Sequence, residues 1–294
     1  MLISIAKSLI VPIMINPDLQ SLARQWGASA IPFDQSTWLE TPELLRLRRH
    51  LDHAAALRTP LLLCGPNGVG KSAVVGHWMR ALDTRVHLPL ALTHASLSGS
   101  SLLAWLVQRL GKASSFRREG NLQRLETALR ELERRSLVLI LDDAQNYSPS
   151  ALEEIRLLLG LNLPEQPLFT LMLLGDDYLL GTLRLRHQRA LYSRLGAHHR
   201  VEPWAPSRCL EYMESALRAV GLSATVLAPA AGERLAAASG GLPRSLQLLA
   251  RAAWLAAATS ERQQILTEDV QRALDQVPCV PGLNTPEPAH ESAA

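Results

Sequence analysis

The chain has 294 residues, enough for one large or two small domains, and its 47% hydrophobic and 19% charged residues are ordinary for a soluble globular protein. A net charge of +3 permits contact with nucleic acid or an acidic membrane but does not require it. The three cysteines, Cys64, Cys209 and Cys279, lie far apart without a CxxC pair, which argues against a zinc site or a disulfide framework.

The N-terminal stretch, residues 1–15, is apolar but too short to span a bilayer, and it lacks the basic region and cleavage site of a signal peptide. We interpret it as an early packing segment, or as residues before a natural start at Met14. Since no other run reaches membrane length and the isolated cysteines fit a reducing compartment, we expect a cytoplasmic protein without membrane contact.

Strands and helices alternate from residue 41 onward. Thr41, Pro42 and Glu43 form a cap, a proline at the first helical position and an acidic first turn, which together predict a helix. The apolar run 61–64 is typical of a fully buried parallel strand. The alternation continues over about 140 residues and predicts a parallel sheet with helices on both faces. Further strands are predicted at 86–92, 137–141, 169–174 and 200–202, and helices at 41–57, 71–82, 101–110, 122–135 and 151–159.

The pattern changes near Trp204 to helices only, rich in Ala, Leu and Arg. We therefore predict four parts. They are an N-terminal segment packing on the core (1–40), an α/β core (41–203), a small all-helical lid domain (204–277) and a disordered, Pro-rich tail (278–294).

The strand at 61–64 leads into a Gly-rich loop that matches GxxxxGK[ST] and precedes a helix. Glycines let successive backbone N–H groups face phosphates, and the helix N-terminus adds the positive end of its dipole. In this pattern Lys71 reaches the β- and γ-phosphates and the Ser72 hydroxyl ligates Mg²⁺. A Gly-rich turn with an incidental lysine is the alternative. The predicted ATP-binding residues are Gly65, Pro66, Asn67, Gly68, Val69, Gly70, Lys71, Ser72 and Ala73.

Two adjacent carboxylates, Asp142 and Asp143, follow the apolar strand at 137–141. A carboxylate at the tip of a neighbouring buried strand can hold the water shell of Mg²⁺, and we assign this role to Asp142. The second carboxylate can orient or deprotonate the attacking water. Two acidic residues that merely end a strand at the surface are the alternative.

Five further motifs accompany the loop, namely Trp-Gly…Pro-Phe (26–33), Leu-Asp-Asp-Ala-Gln (141–145), Leu-Glu-Glu-Ile-Arg-Leu-Leu (152–158), Leu-Leu-Gly (173–175) and Ser-Gly-Gly-Leu-Pro-Arg (239–244). Together they resemble the AAA+ family that contains the ExeA-type ATPases, and the related TniB and TnsC ATPases of bacterial transposons. The resemblance covers most of the chain. It implies an α/β P-loop core with a parallel sheet flanked by helices, followed by a small helical lid domain, and ATP hydrolysis to ADP and phosphate.

The resemblance also implies roles for single residues. Arg244 matches the sensor-2 arginine that reads the γ-phosphate, and Asp176 falls where the family places a polar sensor-1 residue. A carboxylate is unusual there, because it repels phosphates. Arg194, rather than the nearby Arg189, matches the arginine finger presented to a neighbouring subunit. The alternatives are an ordinary arginine at a helix N-terminus for Arg244 and a solvated helix face for Arg194.

One position departs from the family, which has Asp-Glu where this chain has Asp142-Asp143. The shorter carboxylate of Asp143 lies about one methylene further from the water that it orients. We therefore expect nucleotide binding with slow, assembly-coupled hydrolysis, which suits a timer or switch.

Lys112, Arg117 and Arg118 lie in a Ser-rich stretch, in a part of the core that touches DNA backbone in transposon ATPases. Basic side chains with hydroxyls suit phosphate contact that tolerates any sequence, although a solvated basic loop is the alternative. We therefore expect an ATP-dependent regulator of DNA transposition, a ring or filament on double-stranded DNA that recruits a transposase or other transposon proteins. The alternatives are an ExeA-like secretion-assembly ATPase and a nucleotide switch that binds only proteins.

Overall fold

A computed structural model describes residues 18–35, 37–93, 97–162 and 166–277. The described residues form two compact units. An α/β unit spans residues 38–205 and 240–245, and a helical unit lies within 18–37, 206–239 and 246–277. The apolar N-terminus and the Pro-rich tail predicted above lie outside the described residues, and the four-part division of the chain stays a prediction.

The α/β unit contains a five-stranded parallel sheet in the order β2-β3-β4-β1-β5. This confirms the predicted α/β fold with a parallel sheet and helices. The strands are β1 (Leu61–Cys64), β2 (His87–Leu92), β3 (Ser136–Leu141), β4 (Phe169–Gly175) and β5 (Ala197–Arg200). The helices of this unit are α2 (Pro42–Leu57), α3 (Lys71–Ala81), α4 (Gly99–Arg109), α5 (Arg118–Glu131), α6 (Pro149–Leu158), α7 (Asp177–Arg184) and α8 (Arg189–Tyr192), while α1 (Leu19–Gln25) belongs to the helical unit.

The three central strands explain why their sequences are continuously apolar. Every residue of β1, β3 and β4 is buried. Successive side chains of a strand point to opposite faces of the sheet. Leu61 and Leu63 accordingly join one core with α2 and α3, whereas Leu62 joins a second core with α4, α5 and α6. Both faces are therefore covered, as the predicted parallel sheet requires.

The strand order differs from our expectation in one respect that matters for the site. β4 lies between β1 and β3, so that the strand ending at Asp142 is not the direct neighbour of the strand ending at the Gly-rich loop. Because all the strands are parallel, their carboxyl ends still meet at one edge of the sheet. The loop and the two carboxylates therefore lie on the same edge, separated by β4.

Two predicted elements had the wrong bounds at both ends. β5 covers Ala197–Arg200 rather than 200–202. Its four residues pair with the four residues of β1, and the pairing ends at Cys64, where the Gly-rich loop begins. Helix α5 begins at Arg118 rather than at 122, and it ends before Glu133, whose φ of 48° is left-handed. Helices α7 and α8 were not predicted.

The helical unit confirms the predicted change to helices in the C-terminal region. Its Trp26 packs edge-on against Trp254 with ring centroids 6.2 Å apart, and Arg251 forms an ion pair of 2.8 Å with Asp34. Among the described residues, no helix is both long and apolar enough to cross a membrane. Besides α1, its helices are α9 (Pro206–Ala219), α10 (Pro229–Ala238), α11 (Pro243–Thr259), which begins in the α/β unit, and α12 (Thr267–Gln276).

Candidate nucleotide-binding site

The Gly-rich loop joins the end of β1 to the start of α3, as the motif predicted. Gly65 has φ +149°, and a Cβ at this position would lie 2.4 Å from the carbonyl oxygen of Val201, so no larger residue fits. Gly70 is the N-cap of α3 and has no side chain to cap the first-turn N–H groups. Those N–H groups are therefore available to an anion at the positive end of the helix.

Lys71 is the first residue of α3 and is buried, with 6% relative exposure. Its ammonium donates hydrogen bonds to the carbonyl oxygens of Gly65 at 2.8 Å and Pro66 at 3.1 Å. Burial lowers the pKa of Lys71, and the nearby carboxylates of Asp176 and Asp142 act in the opposite direction. The loop thus holds a lysine pointing back over its own backbone, and Ser72 and Ala73 follow it as exposed residues on the first turn.

Asp142 and Asp143 follow β3 directly, and both act electrostatically on Lys71. The backbone N–H of Asp143 donates to Oδ1 of Asp142 at 3.0 Å. Asp143 is exposed and has a left-handed backbone, φ 48° and ψ 45°, which turns its side chain away from the strand direction. The carboxylate of Asp142 and the hydroxyl of Ser72 are hard oxygen donors of the kind that suits Mg²⁺.

Gln145 connects the ends of β3 and β4, which the sequence did not indicate. Its Nε2 donates to Oδ1 of Asp143 at 3.3 Å, and its Oε1 accepts from the backbone N–H of Asp176 at 3.4 Å. A Cβ on Gly175 would lie 3.0 Å from that Oε1 and 2.4 Å from Leu179, so the glycine gives the amide room. The contact depends on the adjacency of β3 and β4, which a single sequence does not show.

Asp176 is the N-cap of α7, and its Oδ1 accepts from the backbone N–H of Leu179 at 3.1 Å. The carboxylate of Asp176 thus has a hydrogen-bond partner on its own helix, and its charge also acts to raise the pKa of Lys71. The next residue, Asp177, forms a two-pronged ion pair with Arg200 at the end of β5. That hydrogen bonding lowers the pKa of Asp177 and raises the pKa of Arg200. We did not anticipate this pair.

Arg244 lies beside the Gly-rich loop although it is far away in sequence. Its backbone N–H donates to the carbonyl oxygen of Gly68 at 3.3 Å, and a Cβ on Gly68 would lie 3.2 Å from the Cβ of Arg244. Its charge also lowers the pKa of Lys71, as a smaller effect than burial. The segment that brings Arg244 to the loop is also held by Gly241, whose carbonyl oxygen accepts a hydrogen bond from the N–H of Trp204 at 2.8 Å.

Arg194 follows α8, and its contacts are local. Its guanidinium donates to the carbonyl oxygen of Ala190 at 2.8 Å. Its charge helps to lower the pKa of Glu153 on α6, less than the hydrogen bond from Arg156 does. The structure therefore brings Arg244 to the loop and places Arg194 beside α6.

The predicted basic loop lies between α4 and α5. Lys112 forms an ion pair of 2.6 Å with Glu131, and Arg118 donates two hydrogen bonds, of 3.0 and 2.9 Å, to the buried carboxylate of Glu154. Arg117 is exposed. Two of the three predicted DNA contacts are therefore engaged within the fold.

A GxxxxGK[ST] loop between a buried parallel strand and a helix, with carboxylates at the end of β3 and an arginine beside the loop, has the arrangement of a P-loop nucleotide-binding domain and resembles the AAA+ class. Residues 55–183 match the family model described as an AAA domain. General secretion pathway protein A of Aeromonas hydrophila is 28% identical over 267 residues, covering 86% of this chain and 48% of that protein. The predicted resemblance to ExeA-type AAA+ ATPases is thereby confirmed, and the chain spans about half the length of this curated relative.

Solved structures show the same fold at lower identity. The crystal structure of Cdc6p from Pyrobaculum aerophilum has a TM-score of 0.63 and 19% identity, and covers 87% of this chain and 71% of that chain. The structure of Drosophila ORC bound to DNA has a TM-score of 0.62 and 19% identity, covering 93% and 70%.

Proposed function

We propose that this protein binds ATP with Mg²⁺ at the Gly-rich loop and hydrolyses it slowly. The observation that carries the proposal is the Gly-rich loop between β1 and α3, which holds the buried Lys71 at the same edge of the sheet as Asp142, Asp143 and Asp176, with Arg244 beside Gly68. In this proposal Lys71 contacts the β- and γ-phosphates, while Ser72 and Asp142 hold Mg²⁺, which neutralises phosphate charge. The backbone N–H groups of the loop, from Gly65 to Ala73, cradle the phosphates.

Three residues are proposed to act on the γ-phosphate and its attacking water. Asp143 orients the water, and its short side chain and left-handed backbone favour slow turnover. Arg244 contacts the γ-phosphate from its position beside Gly68. Asp176 is the weakest of these assignments, because its carboxylate caps α7 and repels phosphate.

We further propose that hydrolysis is coupled to assembly. Arg194 is the proposed finger that stabilises the transition state in a neighbouring subunit. Within its own chain, Arg194 contacts Ala190 on α8 and acts on Glu153 on α6, rather than on the Gly-rich loop. Its guanidinium is therefore not used at the site of its own subunit, which supports a role in a neighbouring one. A single subunit would then hold an incomplete site.

The partner that we propose is double-stranded DNA, bound without sequence preference by a homo-oligomer that recruits or activates a transposase. Arg117 is the most accessible of the predicted contacts, whereas Lys112 and Arg118 would have to exchange their ion pairs with Glu131 and Glu154 for contacts with DNA phosphates. The shared fold with an ORC structure that is bound to DNA is compatible with this partner. A cytoplasmic location follows from the same proposal.

A second function is favoured by the 28% identity to General secretion pathway protein A. In this alternative the chain is an ATPase for the assembly of a secretion system, or a nucleotide switch that acts on proteins without DNA. The two functions share the nucleotide site and differ in the partner of the oligomer.

Fluorescence anisotropy with a random-sequence DNA duplex tests the first function against the second. The protein is titrated with ATP, with ADP and without nucleotide, over a series of salt concentrations. We expect cooperative binding that requires ATP and weakens steeply with salt, because phosphate contacts release counterions. Absence of binding under all three nucleotide conditions would contradict the DNA function and favour the alternative.

A further inference from the structure

Phe116 is exposed to an unusual degree for a large apolar side chain. Its relative exposure is 107%, the highest among the large apolar residues of the described part of the chain. It lies at the tip of the turn between α4 and α5, and Ser115 and Arg117 are its neighbours in sequence. An aromatic ring held in water gains favourable free energy when a partner covers it.

The turn that carries Phe116 is held in place by hydrogen bonds rather than left free to collapse. Asn121, which is buried at 4% exposure, accepts from the backbone N–H of Ser115 at 2.5 Å and donates to the carbonyl of Ser115 at 2.9 Å. Arg124 donates to the carbonyl of Ala113 at 2.8 Å. Gly120 leaves room for the turn, since a Cβ there would lie 2.6 Å from the hydroxyl of Ser115.

This anchoring holds the backbone that carries the ring before any partner binds. A preorganised loop loses less conformational entropy on binding than a flexible one, so that more of the contact energy appears as affinity. The anchored turn also explains why Phe116 stays exposed instead of folding back on α4 or α5.

The charges around the ring indicate the kind of partner. Arg117 is exposed beside it, and its backbone N–H donates to the Ser115 hydroxyl at 3.2 Å. Lys112 and Arg118 are paired with Glu131 and Glu154, so Arg117 supplies the exposed positive charge beside the ring. An aromatic face next to an arginine and a hydroxyl matches a base next to a phosphate.

We infer that Phe116 inserts at a base step of bound DNA and stacks on a base, while Arg117 contacts the adjacent phosphate. The inference rests on the proposed DNA binding and adds a contact with the bases to it. Apolar side chains that insert in this way unstack a step and depend little on sequence, because every base offers a π-face. An apolar pocket on a protein is the competing partner, and the test below separates the two.

The test measures duplex binding by anisotropy with ATP at several salt concentrations, together with the fluorescence of 2-aminopurine placed in the duplex. Four proteins are compared, namely the wild type, Phe116→Ala, Arg117→Ala and the control Leu57→Ala, which removes another apolar side chain at 61% exposure. We expect Phe116→Ala to weaken binding about tenfold at every salt concentration with an unchanged salt slope. Arg117→Ala should reduce the slope by about one. Leu57→Ala should behave like the wild type.

The fluorescence gives an independent readout of stacking. With the wild type and with Arg117→Ala, we expect 2-aminopurine fluorescence to change on binding, and with Phe116→Ala the change should be lost. If the wild type binds DNA and Phe116→Ala matches it in affinity and in fluorescence, the inference is overturned while the proposed DNA function stands. If the wild type does not bind DNA, both the inference about Phe116 and the proposed DNA function are contradicted. Because Phe116 makes no buried contact that its removal would disturb, thermal unfolding of Phe116→Ala should match the wild type.

Discussion

At the scale of single residues, the nucleotide site divides into a local part and a part assembled by the fold. The residues of the Gly-rich loop are contiguous, and their backbone geometry follows from glycines at fixed positions, so the motif alone predicted where they lie. The contacts of Gln145 with Asp176 and of Arg200 with Asp177 were missed, because these residues become close only through strand pairing.

Gln145 offers a test of how Asp143 is positioned. Gln145→Ala removes the donor to Asp143 and the acceptor for the N–H of Asp176. We expect kcat for ATP hydrolysis to fall about tenfold while the Kd for Mg-ATP changes less than about twofold, since positioning of the base acts on the chemical step. Steady-state phosphate release and equilibrium binding measure the two quantities.

The matched control is Gln123→Ala, which changes an exposed glutamine on α5. This variant should keep both kcat and Kd. A kcat for Gln145→Ala equal to that of the wild type would show that the side chain does not position Asp143 for hydrolysis.

At the scale of elements, fully buried strands were predictable from their apolar runs, whereas the bounds of the half-buried edge strand β5 were not. β1, β3 and β4 are apolar at nearly every position, because both faces of the sheet are covered. β5 is an edge strand of four residues with alternating burial and two histidines, so its sequence gives a weak signal. The order of the strands depends on long-range pairing, which the periodicity of a single sequence does not predict.

The ion pair between α5 and α6 gives a prediction for stability. Arg118 is 39% exposed at its side chain, whereas Glu154 is only 8% exposed, so Arg118→Ala leaves a buried carboxylate without its partner. We expect the free energy of unfolding to decrease by about 2 kcal/mol, less than for a fully buried pair because Arg118 reaches solvent. Urea unfolding followed by circular dichroism measures the change.

Arg117→Ala is the control for this pair, because it removes the neighbouring, exposed arginine. Its stability should stay within about 0.5 kcal/mol of the wild type. If Arg118→Ala is as stable as Arg117→Ala, the contact with Glu154 does not stabilise the α5–α6 packing.

At the scale of the whole molecule, the fold and the motifs indicate the class of protein but not its partner. The resemblance to AAA+ ATPases rests on the loop, the sheet and the match over residues 55–183. The partner is a property of surfaces, and the shared fold leaves it open, since proteins with this fold serve different functions. The two functions proposed above, on DNA and in secretion, therefore share one nucleotide site and differ in the surface that meets the partner.

The measurement that tests the central claim most directly is phosphate release from Mg-ATP as a function of protein concentration, for the wild type, Lys71→Ala and Arg194→Ala. We expect the specific activity of the wild type to rise with concentration, because assembly completes each site with an arginine from a neighbour. Lys71→Ala should be inactive at all concentrations, and Arg194→Ala should keep ATP binding without the rise. Activity of Lys71→Ala equal to that of the wild type, or a wild type that never hydrolyses ATP, would contradict the account.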